Sequence, residues 1–323
     1  MVAILNSSAP ILIRRRCIVS RSLSVASAAQ PTSTKLWSVL FPALTLLLIL
    51  LSAGDKHLSQ PILLVLLVAG VVILGLPHGA FDPLVAKQLW HRAQTFPMLP
   101  FLLLYTGVAT LSALFWLYAP NAGLIVFLLI SAYHFGSDWE GRSSVLGRGA
   151  FGVTVVTISS LRKSAGVEDI FTQLGASLAH NLVVVSQLVA ILAIACAFIA
   201  LATRAQSRIS NLVEFSTVVV GGLLLPPLLF FTCYFCLLHS PRHLMQTAHS
   251  LNVRGVWNIA RIAAPTVLAT IALALGLWRF LPATVLSQRF IQVVFIGLAA
   301  LTAPHMLLTE LARRRALHNK LNY

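Results

Sequence analysis

Ten histidines punctuate a sequence that is otherwise short of polar chemistry. Five stand in small polar islands within apolar text: His78 in GLPHGAFD, His134 in SAYHFGSDWE, His239 and His243 in LLHSPRHL, and His305 in TAPHMLLTE. An imidazole inside or at the end of an apolar run is expensive unless it has a partner or a task. His57, His91, His180, His249 and His318 fall in predicted loops or tails and read as ordinary solvated or interfacial side chains. His239 and His243 are four apart, and on a helix such residues share a face with Cβ atoms about 5–6 Å apart, so both rings can grasp one ion. Pro241 between them is tolerable where a helix begins or breaks. Four neutral imidazoles without a thiolate suit a borderline divalent metal; zinc would serve hydrolysis or structure, and iron would serve oxygen activation. Structural or proton-handling histidines are the competing reading.

The other polar residues are weaker signals. Asp82 lies four after His78, so on a helix its carboxylate could accept a hydrogen bond from that imidazole, fixing its tautomer and raising its donor strength. A helix cap, or an ion pair with Arg242 or Lys87, is the plainer alternative. Asp138 and Glu140 read as solvated at the membrane edge, Glu310 as an interfacial partner of Arg313, and Glu214 has no assignment. No Glu-x-x-His or His-x-Glu pattern accompanies the histidines, which argues against a carboxylate-bridged di-iron centre. Phe81, Tyr133, Phe135, Tyr234 and Phe235 adjoin the islands and are candidates to line a channel for a flat conjugated chain, although aromatic residues also belong at any membrane interface. Gly75 and Gly79 would let another helix approach His78 closely. Cys233 and Cys236 form a C-x-x-C inside FFTCYFCLL, where small apolar filler is a simpler reading than a thiol pair. Phosphate loops, nucleophile elbows, haem-attachment and zinc-protease motifs are all missing, so nucleotide-driven transport and serine hydrolysis have no support.

The elements that must position these residues are membrane helices. With 58% hydrophobic residues, 10% charged residues and a mean hydropathy of +0.88, the chain has too little polar surface for a soluble protein of 323 residues. Apolar runs of spanning length lie near 36–53, 60–77, 98–117, 121–137, 181–203, 211–238, 262–281 and 289–309, predicting an all-α, polytopic bundle of eight transmembrane helices. A weaker ninth candidate covers 145–160. The net charge of +15 would suggest nucleic acid on a hydrophilic domain, but here it lies between and beside the apolar runs. Eight spans with both termini cytoplasmic put 18 basic residues inside and five outside, whereas a span at 145–160 would throw the Arg313–Arg315 cluster outside. Under that topology His78, His134, His239 and His305 approach one membrane level, the cytoplasmic side. Residues 1–35 read as a disordered basic leader, 36–310 as the transmembrane catalytic domain and 311–323 as a basic cytoplasmic tail.

Together PHGAFD (77–82), YHF (133–135), HSPRH (239–243) and PHM (304–306) resemble the signature of the Brp/Blh family, the membrane β-carotene 15,15′-dioxygenases of bacteria and archaea. The resemblance runs from about residue 38 to 310. It implies a multi-pass, non-haem Fe(II) enzyme of the inner membrane that uses O2 to split the central double bond of β-carotene into two all-trans-retinal. It places the family's metal ligands on His78, His134, His239 and His243, and His305 matches a further family histidine, expected with Asp82 to support the ligands rather than to bind the metal. Retinal made in the lipid membrane would then supply a microbial rhodopsin, and no nucleic-acid partner is implied. Two other classes compete. A non-catalytic carotenoid-delivery protein would keep the channel and need no metal; a histidine-rich membrane hydroxylase or desaturase would show more close histidine pairs than the single one here.

Overall fold

Long apolar runs interrupted by proline and glycine dictate a helical bundle, and the computed structural model contains no strand among the residues it describes. These are 32–52, 58–90, 98–139, 143–203, 208–281 and 285–321; the leader as far as Pro31, His57, His91 and Glu140 lie outside them, as does the side chain of His318. The α-helices are α1 (Thr32–Ser52), α2 (Gln60–Gly70), α3 (Asp82–Leu89), α4 (Met98–Tyr118), α5 (Pro120–Gly136), α6 (Val145–Thr157) and α7 (Ser164–Gln173). They continue with α8 (Ala179–Ala202), α9 (Arg208–Leu224), α10 (Pro227–Cys233), α11 (Ser240–Ser250), α12 (Val256–Phe280) and α13 (Leu286–Leu321). Proline in the first turn starts α2, α3, α5, α10 and α11, where its missing N–H costs nothing.

Six helical stretches are long and apolar enough to cross a membrane: Gln60–Leu89, Met98–Tyr118, Pro120–Trp139, Ala179–Ala202, Val256–Phe280 and Leu286–Arg315. Leu99, Leu103, Leu104 and Leu111 of α4 point outward, as do Leu188 and Leu192 of α8 and Leu268 and Leu275 of α12. Helices that stay apolar on their outer faces are solvated by lipid tails, so this is the architecture of a polytopic membrane bundle.

The predicted run at 211–238 is one element too few. Helix α9 stops at Leu224, and Pro226 is extended at φ −54° and ψ 142° before Pro227 opens α10. Leu225 precedes one proline and Pro226 precedes another, and a residue before proline is driven out of the helical region. The segment at 145–160 is helical, as α6 followed by a 3-10 turn over Ile158–Leu161, and most of it is buried between α5 and α8. Its fit against α5 depends on missing side chains. A methyl group on Gly152 would collide with the Ala132 carbonyl, and one on Gly136 would stand 2.7 Å from the Arg148 carbonyl oxygen. Small residues at a crossing let membrane helices meet backbone to backbone.

Two wide π-helical turns shape the centre of the bundle. One, Val71–Gly75, follows α2; the other, Tyr234–His239, joins α10 to α11. Each is followed two residues later by a proline, Pro77 or Pro241, whose missing N–H cannot continue the regular ladder, so the wider turn absorbs the break. The two turns pack on one another, and a methyl group on Gly75 would come within 2.8 Å of Phe235 Cε1.

Candidate metal centre

His78 closes the 3-10 turn after the first π turn, His134 lies in the last turn of α5, His239 ends the second π turn, His243 sits one turn on in α11, and His305 lies within α13. Helix packing brings all five rings into one cluster. Ring centroids are 4.5 Å apart for His134 and His239, 5.2 Å for His243 and His305, 5.3 Å for His134 and His305, and 5.4 Å for His78 and His305. His134, His239 and His305 are buried, while His78 and His243 are half-buried. One donor nitrogen each from His78, His134 and His239 can be chosen so that all lie within 4.8 Å of one another.

Hydrogen bonds settle which nitrogen of several rings is free. His78 Nδ1 is bonded to the Gly75 carbonyl oxygen, His239 Nδ1 lies 3.0 Å from Asp138 Oδ2, and His305 Nδ1 lies 2.9 Å from both oxygens of Asp82. Carbonyl and carboxylate oxygens only accept, so Nδ1 carries a proton on each ring, and in the neutral ring Nε2 keeps the lone pair. His239 Nε2 then faces His134 Nε2 at 3.0 Å, and the buried His305 Nε2 has no hydrogen-bond partner. Lone pairs crowded together away from water need a shared cation or proton, and the donor set is that of a borderline divalent ion. Two nitrogens each about 2.0–2.1 Å from one ion would show the spacing seen for His134 and His239. The residues present therefore fit a bound metal.

The carboxylates do not serve the histidines of their own helices. Asp82 is paired with His305 of α13, not with His78, and it also accepts the Tyr105 hydroxyl at 2.8 Å. It is neither a partner of Lys87 nor of Arg242. Asp138, expected to be solvated, is buried: it accepts from His239 and from the Tyr234 hydroxyl at 2.6 Å. The reason is geometric, because both aspartates follow the end of a helical stretch and swing toward the neighbouring element. Arg242 donates to both oxygens of Glu214 at 2.7 and 3.1 Å, and to the Ser38 hydroxyl at 3.1 Å, tying α11 to α9 and α1. Glu310 does pair with Arg313 at 2.8 Å.

The aromatic candidates separate. Phe135 lies 4.9 Å and Phe235 5.8 Å from the His239 ring, and Phe235 is 5.5 Å from His78, so these two wall the cluster. Tyr234 commits its hydroxyl to Asp138. Phe81 is buried in another apolar cluster with Leu244 and Ile259. Tyr133 is 61% exposed, with its hydroxyl 3.5 Å from Glu310, and does not face the histidines. Sequence reasoning missed Asp138, Tyr105 and Glu214. A signal for the first was present, since His134 and Asp138 repeat the four-residue spacing of His78 and Asp82; Tyr105 and Glu214 carry none. Cys233 and Cys236 are both free and buried.

A family model described as beta-carotene 15,15′-dioxygenase matches residues 69–312, which include all five clustered histidines. The beta-carotene 15,15′-dioxygenase of the uncultured marine bacterium 66A03 is 30% identical over 258 residues, an alignment covering 74% of this chain and 90% of that protein. No solved structure matches.

Proposed function

Since the chain belongs to the β-carotene 15,15′-dioxygenase family, we propose that it is an Fe(II) enzyme that splits the central 15,15′ double bond of β-carotene with O2, giving two all-trans-retinal. The observation that carries this reading is the set of buried and half-buried imidazoles converging from separate helices, with the Nδ1 atoms of His78 and His239 bonded to oxygens and Nε2 of His239 facing Nε2 of His134. His78, His134, His239 and His243 would hold the metal. Iron, when bound, supplies the activation of dioxygen that no side chain here could provide. Both electron pairs of the broken double bond pass to dioxygen as two carbonyl groups form, so no external reductant is required.

The protein's own residues bind, orient and dry the site. Asp138 and Tyr234 fix the His239 ring, the Gly75 carbonyl fixes His78, and Phe135 with Phe235 closes one side against water. A polyene offers no charge to read, so the position of the cut is set by how far the chain slides along an apolar wall before its ends are stopped. Detergent-purified protein should contain iron and yield two retinals per β-carotene consumed, with no longer apocarotenals. Off-centre aldehydes from the wild type would refute central cleavage, and carotene bound without conversion in iron-loaded protein would leave a delivery function.

This reading places the enzyme in the cell's inner membrane with both ends cytoplasmic; the division of 211–238 into two helices and a crossing by α6 add two spans to the eight and leave the charge bias at 18 inside to five outside. Reporter fusions after Ser143 and after Lys163 should report opposite sides, since α6 runs antiparallel to α5 and ends with Ser160 accepting from Gln187 in the first third of α8, whose start is tied by Asn121 to the beginning of α5; both in the cytoplasm would return α6 to a non-spanning segment. Retinal released into the lipid would be available to a microbial rhodopsin.

A further inference from the structure

The cluster contains two carboxylate triads built on one plan. In the first, Asp138 accepts from His239 Nδ1 at 3.0 Å and from the Tyr234 hydroxyl at 2.6 Å. In the second, Asp82 accepts from His305 Nδ1 at 2.9 Å and from the Tyr105 hydroxyl at 2.8 Å. All four acid and imidazole side chains are buried. A carboxylate that takes a ring proton on one side sharpens the lone pair on the other, which is how metal-bound imidazoles are held.

The two triads differ in one respect. His239 Nε2 faces the ring nitrogen of His134, whereas His305 Nε2 is buried with no hydrogen-bond partner, although its ring lies within 5.4 Å of His78, His134 and His243 between centroids. A histidine serving only to pair with Asp82 gains nothing by burying an unpaired ring nitrogen among other imidazoles, and that arrangement is costly. We infer that His305 is itself a metal ligand, held in place by Asp82 and Tyr105, so that the centre draws on five imidazoles. The inference rests on the reading of the cluster as a metal site. Five nitrogens exceed the four-coordinate habit of zinc and suit an ion that accepts more donors.

The test is metal binding by the full chain in detergent, stripped and titrated with Fe(II) against a competing chelator and with Co(II) as a spectroscopic probe. His305→Ala should weaken Fe(II) binding by more than about 100-fold, and its Co(II) absorption should change shape as one donor is lost. Asp82→Asn keeps the ring and should weaken Fe(II) binding by about 10–100-fold, the usual effect of losing such a partner, with the Co(II) band shape retained. Added imidazole should return the wild-type spectrum to His305→Gly. His305→Ala with unchanged affinity and spectrum, beside a His239→Ala control that loses both, would overturn this inference and leave the metal centre standing. A control that also keeps its metal would overturn both. Should His305→Ala fail to fold, folded Asp82→Asn decides alone: unchanged affinity is fatal to the inference.

Discussion

His239→Ala should remove iron and carotene cleavage together. The side chain is fully buried, donates from Nδ1 to Asp138 and presents Nε2 3.0 Å from His134 Nε2, with Phe135 and Phe235 packed on its ring. Alanine deletes the donor and opens a cavity that neither phenylalanine can fill without leaving its own contacts. Losing a partner that only orients a ligand costs about 10–100-fold in metal affinity or activity, so losing the ligand should cost more than the upper end of that range. Asp138→Asn provides the graded comparison: the ring stays, its acceptor weakens, and the loss should fall within that range. Iron per chain and retinal formation, measured on the same preparations, decide the matter; iron retained in full by His239→Ala would end the proposed role of this ring.

A second large effect is expected behind the metal centre. Arg242 and Glu214 form a bidentate ion pair with both side chains almost wholly inaccessible. Such a pair gives little net stability compared with apolar residues of the same volume, yet removing one member strands a buried charge and costs about 3–5 kcal/mol. Arg242→Met should therefore lower the unfolding free energy in detergent by about that much, and disturb metal binding because Arg242 lies between His239 and His243. The double variant Arg242→Met with Glu214→Leu should recover part of the loss, since the stranded Glu214 charge is gone while the buried Asp138 still loses the cation beside it. Thermal or denaturant unfolding of the three proteins gives the comparison; a single variant as stable as wild type would show that the charge is relieved some other way.

The histidines were legible because apolar text makes a polar residue conspicuous, and their approach to one level follows from alternating helix direction. Spacing along one helix, however, names only neighbours on that helix. It joined Asp82 to His78 and set Asp138 aside, while packing gives Asp82 to His305 and Asp138 to His239. Tyr105 and Glu214 lie far along the chain from every island, and only the crossing of helices reveals what they touch. Tyr133 and Phe135 flank His134 equally in sequence, but successive residues are turned about 100° around a helix, so one faces outward and the other meets the His239 ring. The paired prolines at 226 and 227 divide the apolar run at 211–238, because each drives the residue before it out of the helical region.

The crossed carboxylates also fix when the site can exist during synthesis. Asp82 is separated by 223 residues from His305, and Asp138 by 101 residues from His239. A chain emerging from its N-terminus therefore carries Asp82, the second triad's acid, through most of translation before its imidazole is made. Partial bundles hold His78 and His134 with their aspartates still exposed to other partners, and the second triad closes only when the last long helix docks. Assembly of this centre thus reports completion of the polypeptide, and a protein stalled or cut before α13 lacks the residue that would finish it.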